Sequence, residues 1–219
     1  MPGSGVGRAQ GSRLRAGEEG KATAKDHGEP MHRVVVFVGS LRADSFNRKL
    51  ARSVERLAKD RLTFEYAEIG DLPMYNDDLW KDPPAVVLRH KELIAGADAV
   101  LLVTPEYNRS VPPVLVNAIA WGSRPLGKNA WSGKTAAIIG ASNGSIGTAV
   151  SQAQLRSSAV ILGLVLLSQP EVYINWKPDM LDEAGNFRDE KTTAFLEGFV
   201  KKFDAWITRQ EAGAAAVAK

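Results

Sequence analysis

The stretch with the most chemical content is residues 136–147, AAIIGASNGSIG. Gly140-Ala141-Ser142-Asn143-Gly144 fits G-x-S-x-G, in which a serine on a sharp strand-to-helix turn becomes a nucleophile. The same residues fit a buried strand, a tight Gly/Ser loop and a helix start. Such a loop would aim its backbone N–H groups at a ligand, with Gly144 permitting close approach. A base decides between the two. In α/β-hydrolases an acid and then a histidine follow the serine. All three histidines of this chain, His27, His32 and His90, precede Ser142. The ligand-holding reading is favoured, and Ser142 turnover of an activated ester would revive the other.

Two further loops bear polar groups after apolar runs. Gly39-Ser40-Leu41-Arg42-Ala43-Asp44-Ser45-Phe46-Asn47 precedes a helical pattern. Ser45 is placed to cap that helix. The helix start offers unpaired N–H groups and the positive end of a dipole, which suits a phosphate. Ser40, Ser45 and Asn47 add hydrogen bonds, and Arg42 adds charge. A capped turn with a surface arginine explains the same residues, and Asp44 must point outward if an anion binds. Thr104-Pro105-Glu106-Tyr107-Asn108 follows AVLLV and presents backbone amides and an aromatic, suited to the edge of a flat ring. Two near-matches to a phosphate loop, at 122–128 and 128–135, precede a strand rather than open a helix, so they read as surface connections.

These loops need a frame. The 219 residues suffice for one α/β domain. The chain has no cysteine, which excludes disulfides, thiolate chemistry and Cys-ligated metals. Three histidines argue against a His-rich metal site. A net charge of +3 is too balanced to imply nucleic acid. The longest apolar run, within 159–167, is far shorter than the ~18 residues of a membrane helix. Strand candidates are 34–38, 62–69, 98–103, 135–139, and 164–167 or the residues on to 173. Their continuous apolar character predicts strands buried on both faces, as in a parallel sheet. Phe46, Leu50, Val54 and Leu57, and later Phe195, Phe199, Phe203 and Trp206, have helical spacing. Strand–helix alternation predicts a doubly wound α/β sheet, whose ligands sit at the carboxyl ends of the strands. All three loops lie there.

With those loops in order, the sequence resembles the NADPH-dependent FMN reductases, flavodoxin-like proteins that include quinone, chromate and azo-dye reductases. GSLRADSFN (39–47), TPEYNRSVP (104–112), NAIAW (117–121), SRP (123–125) and GASNGSIG (140–147) carry the resemblance, which runs from about Val34 to Trp206. It implies a five-stranded flavodoxin-like sheet with helices on both faces. It implies FMN as cofactor and NADPH or NADH as reductant, with hydride passing through the flavin to a small acceptor: a quinone, free flavin, azo compound or chromate. The cofactor site would comprise Ser40, Arg42, Ser45, Phe46 and Asn47, with the FMN phosphate on Ser40, Arg42, Ser45 and Asn47. The isoalloxazine would rest on Pro105, Glu106, Tyr107 and Asn108, with Ser142, Asn143, Gly144 and Ser145 at its pyrimidine side. Backbone N–H groups around Asn143–Ser145 would stabilise charge on the reduced ring. No side chain need act as a catalytic acid or base. Arg124 is a weaker candidate for an anionic acceptor or the nucleotide's phosphates. A homodimer or homotetramer, paired through the helices after the second and third loops, is also implied. Departures from the family pattern at Pro113, Val116 and Ala120 make the helix after Ser110 more apolar.

The expected organisation is a disordered tail over 1–31, one reductase domain over 32–210 and a frayed end over 211–219. The tail is rich in Gly, Ala and charge, and it lacks the apolar centre of a secretory signal. A cytoplasmic protein is expected, with no nucleic acid or membrane partner. The competing reading is a flavodoxin-like carrier that binds FMN without oxidising NADPH itself. Such a carrier would be expected to show a strongly charged docking face, which this balanced composition does not suggest.

Overall fold

The computed structural model describes residues 31–217. The tail expected over 1–31 lies outside the described residues except for Met31, which is exposed.

Five of the apolar runs are strands or contain them: β1 (His32–Val38), β2 (Leu62–Tyr66), β3 (Ala99–Val103), β4 (Thr135–Ser142) and β5 (Val165–Leu166). A sixth, β6 (Val172–Asn175), follows. Every pairing is parallel, in the order β2-β1-β3-β4-β5, and β6 also pairs with β4. The sheet therefore has six strands rather than the five expected. β5 runs beside Thr135–Ala136 and β6 beside Ile139–Ser142, so the two share the last position of the sheet. Between them stands Pro170, which lacks the N–H that a continuous ladder needs.

The helices are α1 (Phe46–Ala58), α2 (Ala85–Ala95), α3 (Pro113–Ser123), α4 (Ala149–Leu162) and α5 (Glu190–Val217), with a short 3-10 turn over Asp77–Lys81. Side chains alternate across each strand. Val34, Val36, Val38, Leu101 and Ile139 meet α1 and α5 through Leu50, Val54, Phe199 and Phe203. Val35, Phe37, Val100, Leu102 and Ile138 meet α2, α3 and α4 through Ile94, Leu115, Trp121 and Leu155. The central strands β1, β3 and β4 are thus covered on both faces, while the edge strand β2 alternates. This leaves the C-terminal ends of β1, β3 and β4 as the place where loops can converge.

At the chain's end, α5 continues to Val217, through the described part of the segment expected to fray from residue 211. The alanine-rich turns favour helix, and Glu211 reaches the His32 Nε2 at 3.2 Å. His32 Nδ1 lies 2.9 Å from the buried Asp204 carboxylate, tying β1 to α5.

Candidate functional site

β1 leads into Gly39 and Ser40. The Gly39 N–H donates to the Val103 carbonyl at 2.9 Å, so the loop crosses the end of β3 before leaving the sheet. A Cβ at Gly39 would sit 2.8 Å from Pro112 Cγ and 3.1 Å from Pro105 Cδ, so glycine is what lets the first and second loops touch. Ser45 is the N-cap of α1, its hydroxyl accepting from the Arg48 N–H at 3.3 Å. That bond leaves the N–H groups of Phe46 and Asn47 without an intrahelical partner at the positive end of the helix. Asp44 points outward, paired with Lys49, which holds its carboxyl below the usual carboxylate range. Arg42 is exposed and lies 5.4 Å from the Phe46 ring centre. Ser40 is nearly buried, and its hydroxyl makes no hydrogen bond among the described residues.

Asn47 does something the sequence did not suggest. Its side-chain amide donates to the Ala141 carbonyl at 2.8 Å and accepts from the Ala141 N–H at 2.9 Å. β3 has ended at this level, and the amide stands in for the missing strand neighbour. The Asn47 side chain thus fixes the first loop to the third, leaving its backbone N–H and the second hydrogen of its amide as donors for a phosphate.

The second loop is a tight reversal. Tyr107 and Ser110 exchange backbone hydrogen bonds of 3.1 and 2.9 Å, and between them Asn108 (φ 53°) and Arg109 (φ 60°) are left-handed. Two successive positive φ values are the signature of a type I′ turn. Asparagine accepts this conformation readily, and arginine does so at a cost. Gln154 of α4 holds the turn in place: its oxygen accepts from Ser110 Oγ and the Val111 N–H, and its amide donates to the Arg109 carbonyl. Glu106 faces α4 as well. One carboxylate oxygen accepts from the Val150 and Ser151 N–H groups at 3.0 and 3.1 Å, capping a helix whose own N-cap, Thr148, makes no side-chain cap bond. Pro105 is buried beneath, and Tyr107 is half exposed at the rim.

In the third loop the Ser142 hydroxyl donates to the Gly147 carbonyl at 2.6 Å and accepts from the Gly144 N–H at 3.1 Å. Both partners lie within the loop. Ser142 is the last residue of β4, and its φ is not in the positive range of a strained elbow. His90 is remote from it, buried on α2 with Nε2 at the Ala118 carbonyl and its ring against Phe37 and Trp131. Among the described residues, neither partner of the Ser142 hydroxyl is a base. Because the Gly144 N–H turns inward, the N–H groups of Asn143 and Ser145 are those left for a ligand. Gly144 has no positive φ, and a Cβ there would meet only Ser142 Oγ, at 3.3 Å. The glycines that the loop requires are Gly147, left-handed at φ 60°, and Gly140, whose Cβ would press into Thr148 Oγ1 and the Thr104 carbonyl oxygen. Asn175 Nδ2 donates to the Gly144 carbonyl at 2.6 Å, and the Trp176 N–H to the Ser142 carbonyl at 2.7 Å.

The loops enclose a cavity of about 130 Å³ lined by Ser40, Arg42, Ser45, Phe46, Asn47, Pro105, Glu106, Tyr107, Ala141, Ser142 and Asn143. It is smaller than the ~300 Å³ at which whole-ligand pockets begin. It suits the phosphate end of a larger ligand whose flat part lies outside on the loops. Asn108, Gly144 and Ser145 adjoin the cavity without lining it. Arg124 is elsewhere: it caps the C-terminus of α3, eleven residues and so about 16 Å along the helix from the second loop. An ammonium near it explains the local geometry, since Lys91 Nζ donates to the carbonyls of Gly122, Arg124 and Lys128. The NAIAW segment is also structural within this chain. Asn117 and Trp121 hold the segment after β2 through Pro73 and Tyr75. Gln154, Asn175 and Ala141 were not legible as site residues. Gln154 and Asn175 sit in a helix and a strand without a motif of their own.

Comparison with known proteins decides the family. The sequence profile of the NADPH-dependent FMN reductases matches residues 32–179. The chain belongs to the NADPH-dependent FMN reductase family. It is similar to the 2-hydroxy-1,4-benzoquinone reductase of a Burkholderia species, 47% identical over 175 residues, covering 80% of this chain and 96% of that one. A quinone reductase of Pseudomonas putida is 46% identical over 178 residues, covering 81% and 95%. Among solved structures, FerB, a flavoenzyme NAD(P)H:(acceptor) oxidoreductase from Paracoccus denitrificans, matches with a TM-score of 0.80 and 50% identity over 82% of this chain and 99% of that one. The reductase fold is flavodoxin-like, its cofactor is FMN and its reductant is a reduced nicotinamide nucleotide. No helix among the described residues is long and apolar enough to cross a membrane.

Proposed function

We propose that this reductase oxidises NADPH or NADH and passes the electrons to a small acceptor, a quinone in the first instance. Free flavin, azo compounds and chromate are further acceptors that an open flavin face would admit. The observation that carries this is the meeting of three loops at the ends of β1, β3 and β4 around a small cavity with an unspent Ser40 hydroxyl and unspent helix N–H groups. Bound FMN supplies the redox chemistry, accepting hydride and releasing electrons. The chain supplies the rest. Ser40, Arg42, Ser45 and the N–H groups of Phe46 and Asn47 hold the phosphate. Pro105, Tyr107 and Asn108 support one side of the ring, and Glu106 fixes that loop from behind. The N–H groups of Asn143 and Ser145 face its pyrimidine edge, with Ser142 and Gly144 fixing their loop. Quinone as acceptor is supported by the activities for which the similar Burkholderia and Pseudomonas proteins are named.

The assembly is a homo-oligomer in this reading, paired through α3 and α4, whose outer faces expose Val116 (50%), Val160 (83%) and Ile161 (86%). A cytoplasmic location is part of this reading, supported by the need for a supply of reduced nicotinamide nucleotide. The test is a visible spectrum of the protein loaded with FMN, followed by NADPH without oxygen. Bound flavin that bleaches rapidly and recovers on adding benzoquinone is the expected result. Flavin that binds and stays oxidised would leave an electron carrier instead. Absence of flavin binding at any concentration would overturn the site.

A further inference from the structure

A second, larger groove of about 640 Å³ opens beside the flavin cavity and shares Ser45 and Phe46 with it. It has the volume of a site for a small organic ligand, roughly 300–1,000 Å³. One wall is α1. Arg48, Arg52 and Arg56 recur every four residues, so they form a single stripe along the groove. The other wall is the chain after β6, which brings Asp179, Asp182 and Glu183. Phe46 and Trp176 stack between the walls with ring centres 5.3 Å apart.

Most of these charges are already committed. Lys49 holds Asp44. Arg52 pairs with Glu55 at 2.8 Å and lies over the Tyr66 ring. Arg56 donates to the Gly185 carbonyl and to Ser53 Oγ. The Asp182 carboxylate accepts from the Asn186 N–H and side-chain amide. Arg48 is different. It is half-buried in the groove wall, and its guanidinium forms no hydrogen bond or ion pair among the described residues.

We propose that this groove binds the adenosine-phosphate half of the nicotinamide dinucleotide, with Arg48 on the 2′-phosphate that distinguishes NADPH from NADH. The inference rests on the reductase reading above. In that reading the flavin's phosphate would sit at the first loop and its ring over the second and third. The groove adjoins the first loop through Ser45 and Phe46, which line both cavities, and Arg48 is one helical turn, about 5 Å, beyond Ser45. A small acceptor needs only the ring face. A hydride donor stacked on the same face carries a long anionic tail that needs a track. The planar guanidinium matches a phosphate in a bidentate manner. The carboxylates of Asp179 and Glu183 opposite suit the donors of the same half-molecule, its ribose hydroxyls and adenine amino group.

The test is calorimetric titration of the FMN-loaded protein with 2′,5′-ADP and with 5′-AMP, for the native chain, Arg48→Ala and Arg48→Lys. The native protein should bind 2′,5′-ADP at least tenfold more tightly than 5′-AMP. Arg48→Ala should abolish that ratio and Arg48→Lys should retain part of it. The ratio of kcat/KM for NADPH over NADH should fall in parallel, by about tenfold in Arg48→Ala. Equal affinity of the native protein for the two nucleotides, or a ratio untouched by Arg48→Ala, overturns the groove assignment. If NADPH still reduces the bound flavin, only this assignment falls. If no flavin binds, the reductase reading falls and takes this one with it.

Discussion

Replacing Asn47 by alanine separates two roles that its position makes easy to confuse. As a ligand-binding residue alone, it would matter only once FMN is present. Its amide instead bonds both backbone groups of Ala141, at 2.8 and 2.9 Å, in a residue that is 2% exposed. Alanine would leave the Ala141 N–H and carbonyl without those partners, at about 1–3 kcal/mol for each buried group. Ala141 also lines the cavity between the loops, so water can reach it from that side, and the low end of each range applies. The sum is about 2 kcal/mol. For a domain of this size each kcal/mol moves Tm by ~2–4 °C, so the flavin-free protein should melt about 4–8 °C lower. Differential scanning calorimetry on Asn47→Ala without FMN measures this directly. FMN affinity should also fall, because the first and third loops lose their registration. A flavin-free Tm within about 1 °C of the native value, with FMN affinity reduced, would refute the clamp and return Asn47 to the phosphate.

Two other outcomes follow from the same reasoning. Burial pushes the His90 pKa down from 6.5 to about 4, against the smaller raising effect of its bond to the Ala118 carbonyl. The folded protein therefore binds fewer protons than the unfolded chain between those values. Stability is fully present above about pH 6.5 and declines as pH falls toward 4; at pH 5 the loss from this group is about 2 kcal/mol. Urea midpoints at pH 7 and pH 5 should differ by correspondingly less in His90→Gln, and an unchanged difference would count against the burial argument. Glu106→Gln removes a negative charge from two N–H groups at the start of α4; a cost of about 1 kcal/mol is expected from the helix dipole and the charge-assisted bonds. Chemical denaturation reads the cost, and a variant as stable as the native chain would show that the cap contributes nothing.

Much was legible from local chemistry. Buried strands on both faces require continuous apolar runs, so 34–38, 98–103 and 135–139 announced β1, β3 and β4. Ser45 announced the start of α1, because a serine oxygen is what the first turn's N–H groups lack. The absence of histidine after Ser142 decided against a hydrolase, since a nucleophile without a base has no means of losing its proton. The three loops were legible because each sets polar residues directly after a buried apolar strand, where ligands of such sheets bind.

What each side chain in those loops does was settled only by tertiary structure. Asn47 and Ala141 are 94 residues apart, and Glu106 is 44 residues from the Val150 N–H it accepts from. No local propensity encodes such pairs; they exist because β1, β3 and β4 end at one level of one sheet. The same holds for Arg124, a candidate for an anionic acceptor or the nucleotide's phosphates, which α3 carries about 16 Å from the second loop of its own chain. The division of the last strand into β5 and β6 had a local cause in Pro170, but which strand both would pair with depended on the register of β4. Sequence fixes which groups can cap, bend or be buried, because those are short-range matters of sterics and hydration. Which of them face a ligand and which are consumed in holding one another is decided by where distant segments meet.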